Sequence, residues 1–136
     1  MEKITIEIDK DLDIAIYTLR GDLLYSELRA AVVDYYNGKP TKYTIWDFSA
    51  SNLAHYVTGI EARELASLVT RLGKARPGGF DMIIVSGVLQ YGIARMYTSY
   101  ADTTRHDSSL LKAMVFRAKD LAMEWIRKNE GTKSSK

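Results

Sequence analysis

The 136-residue sequence predicts an α/β fold: one domain on a mixed, mostly parallel sheet with flanking helices, in the order β-β-α-β-α-β-α-β-α. Three observations carry this expectation. After two strand-like runs at the start, strand-like and helix-like runs alternate, the pattern of right-handed crossovers between parallel strands. The two opening runs are separated only by DKDLD, a hairpin-like break that makes the first strand antiparallel. The run DMIIVSG (81–87) is continuously apolar, as expected of a central strand covered on both faces. No repeat or linker interrupts the order. Residues 1–130 read as the single domain, and 131–136 as a polar tail expected to be disordered.

Each element has its own justification. ITIEI (4–8) carries isoleucine at every second place and predicts a half-buried strand with its polar residues outward. IAIYTLRG (14–21) is the second strand. From Asp22 the period turns helical through Leu24, Leu28, Ala31, Val32, Tyr35 and Tyr36, with Asp22 placed as the cap and Gly38 and Pro40 as the stop. YTIWDF (43–48) is β-branched and aromatic, hence a strand. A second helix is expected over 58–74, burying Ile60, Leu65, Leu68, Val69 and Leu72, and ARPGGF after it is a loop. The third helix is expected to bury Leu89, Ile93, Met96, Tyr97 and Tyr100. DTTRHDSS is a polar loop, KAMVFRA (112–118) the last strand, and KDLAMEWIRK the last helix. The stripe of that helix is Ala118, Leu121, Ala122, Trp125 and Ile126.

Composition narrows the function classes. An apolar fraction of 46% and a charged fraction of 26% are those of a globular domain. With no cysteine there is no disulfide, no thiolate nucleophile and no thiolate-held metal. The first residues lack the apolar core of a signal peptide, and no apolar run reaches the ~20 residues that cross a bilayer. The cytoplasm is therefore the expected setting. The net charge of +2 comes from the end of the chain: the last ten residues hold four of the nineteen Lys and Arg but one of the seventeen acids. The rest is close to neutral, with alternating signs, so no nucleic-acid partner is expected.

Motifs that carry chemistry fail on their spacing. DKDLD begins like a calcium loop, but Ile14 and Arg20 stand where that loop needs Gly and Glu. Gly87 and Gly92 have the spacing of a phosphate-binding loop, with Ile93 and Ala94 in place of its Lys and hydroxyl. Here Gly87 is expected to end the strand and Gly92 to let the third helix approach the sheet. Ser86 follows a strand, yet Ile84 replaces the glycine of a nucleophile elbow. His55 and His106 sit in polar loops with no orienting partner beyond Asp107. No catalytic set assembles, so neither an enzyme, a cofactor nor a metal site is expected. Tyr91, Arg95, Thr98 and Asp102 recur on the third helix opposite its apolar stripe, a Tyr/Arg face suited to a protein interface.

The element order, with IWDFSAS, QYGIARMYTSYAD and MVFRAKDLAMEWI, resembles the SpoIIAA-like, or STAS-like, small bacterial proteins, over about residues 3 to 128. The resemblance implies regulatory binding without enzymatic activity and, in some relatives, the holding of apolar or nucleotide ligands. In the anti-anti-sigma factors a serine at the start of the second helix is a phosphorylation switch. Thr58-Gly59-Ile60 matches its Ser-Gly-aliphatic part, whereas Tyr56 and Val57 depart from the flanking Asp and Ser. Read from the residues, Thr58 and Glu61 form a capping box, with Val57 placed as a staple.

The expected function is thus a non-enzymatic interaction module acting through the second and third helices. Thr58 is a cap or phospho-acceptor, and Tyr56, Tyr91, Arg95 and Met96 form an interface or ligand surface. The partner is a protein, a second copy of the chain included. The alternative is a pocket for a small apolar ligand or a nucleotide between these helices and the sheet, lined by Met82, Met96, Met114, Tyr56 and Tyr97.

Overall fold

A computed structural model describes residues 2–53, 57–104 and 111–134. Its strands are β1 (Ile4–Asp9), β2 (Ile14–Gly21), β3 (Tyr43–Ser51), β4 (Phe80–Ile84) and β5 (Lys112–Phe116), side by side in chain order. β1 pairs antiparallel with β2, and every later neighbour is parallel. Helices α1 (Tyr25–Asn37), α2 (Gly59–Leu72) and α3 (Gly87–Thr104) connect successive parallel strands, and α4 (Lys119–Ser134) follows β5. α1, α2 and α3 pack in a single core cluster and so share one face of the sheet, as the rule of right-handed crossovers stepping in one direction requires. α4 covers the other. The element order and the mixed sheet agree with the sequence reading.

Strand alternation divides the core between the two faces. Ala15, Tyr17, Trp46, Ile83 and Val85 meet α1, α2 and α3. Ile14, Ile16, Ile45, Met82 and Ile84 meet Ala122 and Ile126 of α4. β4 is apolar along most of its length because both of its faces are covered. At the far end of α4, the Tyr43 hydroxyl donates to Glu130 and accepts from Asn129 Nδ2 at 2.7 Å, while Lys42 pairs with Glu130 at 2.7 Å. The helix is thereby tied to the start of β3, and it continues into the polar stretch as far as Ser134.

Several local expectations are corrected. Ile6 and Ile8 of β1 are exposed, although Ile4 joins the core. β1 is the sheet edge, and the crossovers run from β2 onward, which leaves the later part of β1 uncovered among the described residues. Asp22 does not cap α1. Its carboxylate accepts from Asn52 Nδ2 at 2.6 Å, and Glu27 instead takes the Leu24 N–H at 3.0 Å. Leu23, one place earlier, is the buried leucine, and Leu24 is exposed. β3 continues to Ser51 across a shift in its pairing with β2. α2 stops at Leu72 and passes into a short 3-10 turn, Gly73–Ala75. In α4 Leu121 is exposed and Ala118 precedes the helix, so Ala122 and Ile126 form the buried seam.

In α3 the expected Ile93, Tyr97 and Tyr100 pack on the core, and the expectation fails at the other two positions. Gln90, Ala94, Tyr97 and Thr98 are buried, whereas Leu89 and Met96 are exposed. The cause is Gln90: its amide oxygen accepts the Ser86 N–H at 3.0 Å and its amide nitrogen donates to Ser51 O at 2.7 Å. A polar side chain whose hydrogen bonds are made occupies a core position at little cost, and it anchors the start of α3 to the end of β3. Gly92 therefore faces open space and does not bring α3 onto the sheet. Gly87 does not end the strand as the sequence suggests: β4 stops at Ile84, and Gly87 is the first residue of α3, with a φ of 80° that glycine adopts freely.

Candidate interaction surface and the cavity beneath it

α2 begins on a reciprocal cap. Thr58 Oγ1 accepts the Glu61 N–H at 3.1 Å, and Glu61 Oε1 accepts the Thr58 N–H at 3.0 Å. Thr58 is exposed and extended in backbone, while Val57 before it is buried in the core. Gly59 then supplies the close approach between helices, since a Cβ there would lie 2.2 Å from Met96 Cε. The start of α2 and the middle of α3 meet at this contact.

Both helices expose apolar side chains. Ile60 is 71% exposed, Val88 86%, Leu89 68% and Met96 40%. Leu89 and Met96 are seven residues apart, two turns on one flank of α3. Arg95, Met96, Ser99 and Tyr100 border a shallow depression with Arg63 of α2. Tyr91 belongs to the other flank, its ring 5.8 Å from the Arg117 guanidinium. Tyr91 and Met96 thus do not form one patch. Thr98, expected on the outer face, is buried and donates to Arg95 O at 3.2 Å. Tyr56, His55 and His106 lie outside the described residues.

Beneath these helices an apolar cavity of about 60 Å³ opens between them and the sheet. Its lining runs from Leu53 and Val57 near the start of α2, past Trp46, Ile83 and Tyr97, to Arg76 and Asp81. Of the lining expected from the sequence, Tyr97 is present. Met82 and Met114 are not, because the pleat turns them to the α4 face, and Met96 is on the outer surface.

The polar end of the cavity is a buried ion pair. Arg76 and Asp81 are each 5% exposed, and Arg76 Nη1 donates to Asp81 Oδ1 at 2.7 Å. Arg76 Nε donates to Thr41 O at 2.7 Å, Nη1 also to the Tyr36 hydroxyl at 3.1 Å, and Nη2 to the Lys42 and Phe80 carbonyls at 3.1 and 3.3 Å. All five guanidinium N–H groups are thereby engaged. Thr44 Oγ1 donates to the same Asp81 oxygen at 2.6 Å and accepts from Trp46 Nε1 at 2.9 Å. Burial opposes the charge on Arg76, but the Asp81 carboxylate and the tyrosines beside it hold its pKa above the ordinary value. Tyr36 is pushed up by burial first and by Asp81 second.

Sequence reading missed this pair. One signal was present: an aspartate heading an apolar strand covered on both faces requires a cation, and Arg76 in ARPGGF is close in sequence. The other motif residues serve the backbone. Asp9 Oδ1 accepts the Leu12 N–H at 3.0 Å in the hairpin, and Ser86 Oγ donates to Ser49 O at 3.1 Å. Among the described residues, no group of three or more His, Asp or Glu converges on a metal-sized position, and no helix is long and apolar enough to cross a membrane. No protein-family model and no curated protein matches the chain.

Proposed function

We propose that the chain is a non-enzymatic interaction module, STAS-like in kinship and cytoplasmic in setting, that binds a protein partner through the α2/α3 surface. The uncovered aliphatic residues carry this reading. Ile60, Val88, Leu89 and Met96 are exposed on two neighbouring helices, and apolar residues grouped on a surface mark association sites more often than isolated ones do. Arg63 and Arg95 flank the depression beside Met96, giving the apolar centre a cationic rim suited to a partner with acidic edges. Thr58 sits beside this surface at the start of α2. A phosphate there would gain from the helix N-terminus and place negative charge next to Ile60.

The test is a pair of charge insertions, Ile60→Glu with Leu89→Glu. Both side chains are exposed, so stability should stay within about 0.5 kcal/mol of the unaltered chain. The expected outcome is loss of the partner enriched by the unaltered protein from its own cells, or of a dimer seen by sedimentation. Retention of every partner and of the oligomeric state would show that binding does not use this surface.

A further inference from the structure

We propose that the chain forms a symmetric dimer in which β1 pairs with β1 of a second copy, antiparallel and centred on Ile6. This contact uses no residue of the α2/α3 surface and does not depend on the function proposed there. The phase of the β1–β2 ladder fixes what the free edge offers. The Arg20 N–H donates to Lys3 O at 2.7 Å, which continues the β1–β2 register. Inward and outward backbone groups alternate along an antiparallel ladder. Thr5, Glu7 and Asp9 therefore turn theirs toward β2, whereas Ile4, Ile6 and Ile8 turn theirs to the open edge. Edges are commonly blunted by a lysine, a proline or a bulge. β1 has none of these between Ile4 and Asp9, and its register with β2 is unbroken. Ile6 and Ile8 stand opposite Tyr17 and Ala15, on the face that α1, α2 and α3 cover, yet they are 56% and 55% exposed. At the other edge, β5 packs Ala113 and Val115 into one core and Met114 and Phe116 into the other. Apolar side chains left for a partner strand to cover are thus on β1.

The strand complements its own copy in one register. Centring on Ile6 sets Ile6 opposite itself and Ile4 opposite Ile8, so every outward N–H and C=O of the strand gains a partner. The isoleucines then form one apolar row across the joint. On the other face, Thr5 falls opposite Glu7 of the second copy, and Lys3 opposite its Asp9. Arg20 already reaches over β1 at this point, where its Nη1 donates to Thr5 Oγ1 at 3.2 Å. Its guanidinium is carried toward the edge and toward the incoming Glu7. Neither Arg20 nor Glu7 has an ion-pair partner among the described residues. Centring on Glu7 instead would set two Glu7 carboxylates face to face. Centring on Thr5 would set Ile8 opposite Glu2, beyond the end of the strand. The two-fold symmetry of the favoured register closes the assembly at two copies, and two five-stranded sheets become one.

One strand from each copy makes a small interface, so the dimer is weak. Sedimentation of the full chain from about 10 μM to about 1 mM should show it growing with concentration. Over the same range the Ile6 and Ile8 amides of the unaltered chain should lose their fast hydrogen exchange. Ile6→Lys places like charges at the centre and should abolish the dimer, whereas Leu89→Glu should leave it intact. The chain has no cysteine, so single introductions report the register. Ile6→Cys should oxidise to a covalent dimer. Ile8→Cys should not, because its two copies lie about 14 Å apart along the strands. A chain monomeric throughout the series would overturn the proposal, and so would a dimer whose Ile6 and Ile8 amides still exchange freely. A dimer lost in Leu89→Glu and kept in Ile6→Lys would move association to the α2/α3 surface. Faster cross-linking through Ile8→Cys than through Ile6→Cys would refute the register.

Discussion

At the scale of single residues, Thr58 and Asp81 show opposite kinds of legibility. The Thr58–Glu61 box is local, so three residues of spacing are enough to expect the two hydrogen bonds at 3.1 and 3.0 Å. Thr58→Ala should lower stability by about 1 kcal/mol, and Thr58→Asp should recover it, because a carboxylate caps and also favours the helix N-terminus. Urea denaturation of the two variants checks this. A Thr58→Ala chain as stable as the unaltered one would show that the cap contributes little. The pairing of Asp81 with Arg76 is tertiary: it depends on which way the pleat turns Asp81 and on the loop folding back under α1. No periodicity contains that information, so the chemistry at the end of the cavity became visible only in three dimensions.

At the scale of elements, strand and helix identities follow from pattern, and the inward residues of a helix follow only in part. Counting apolar residues along α3 favoured Leu89 and Met96 as core, yet Gln90 with its two hydrogen bonds takes the inward place. Hydropathy counts a glutamine as outward whatever its partners, and the error misplaces Leu89 and Met96 while Ile93, Tyr97 and Tyr100 keep their inward places. The α2–α3 contact offers a test at this scale. A Cβ added at Gly59 meets the flexible end of Met96, so Gly59→Ala should displace that side chain and cost up to about 1 kcal/mol. In a Met96→Ala background the same change should cost nothing, giving a coupling of at least about 0.5 kcal/mol in a double-mutant cycle by urea denaturation. Additive effects would mean that positions 59 and 96 do not meet.

At the scale of the whole molecule, the sheet was readable because strand order repeats chain order, whereas the buried phenols were not. Burial first, then Tyr35 and Asp34, push Tyr17 up to about 12, and Tyr36 is raised mainly by its burial. A raised folded pKa means that the native state holds its proton more tightly than the unfolded chain. This contribution to stability is complete below the unfolded value near 10 and declines as pH rises through the folded value. Each such group should remove at most about 1.4 kcal/mol per pH unit over that window. Alkaline titration followed by circular dichroism and phenolate absorbance should show cooperative unfolding above pH ~10, with a shallower loss in Tyr36→Phe. Phenolate formation near pH 10 with the fold intact would contradict the assignment. The sheet's sequential order has one more consequence, for assembly during synthesis. Every strand after the first pairs with its predecessor, so the growing sheet never waits for a partner still to be translated. Each new crossover adds one strand to an edge that already exists, and the chain can accrete from its N-terminal hairpin outward.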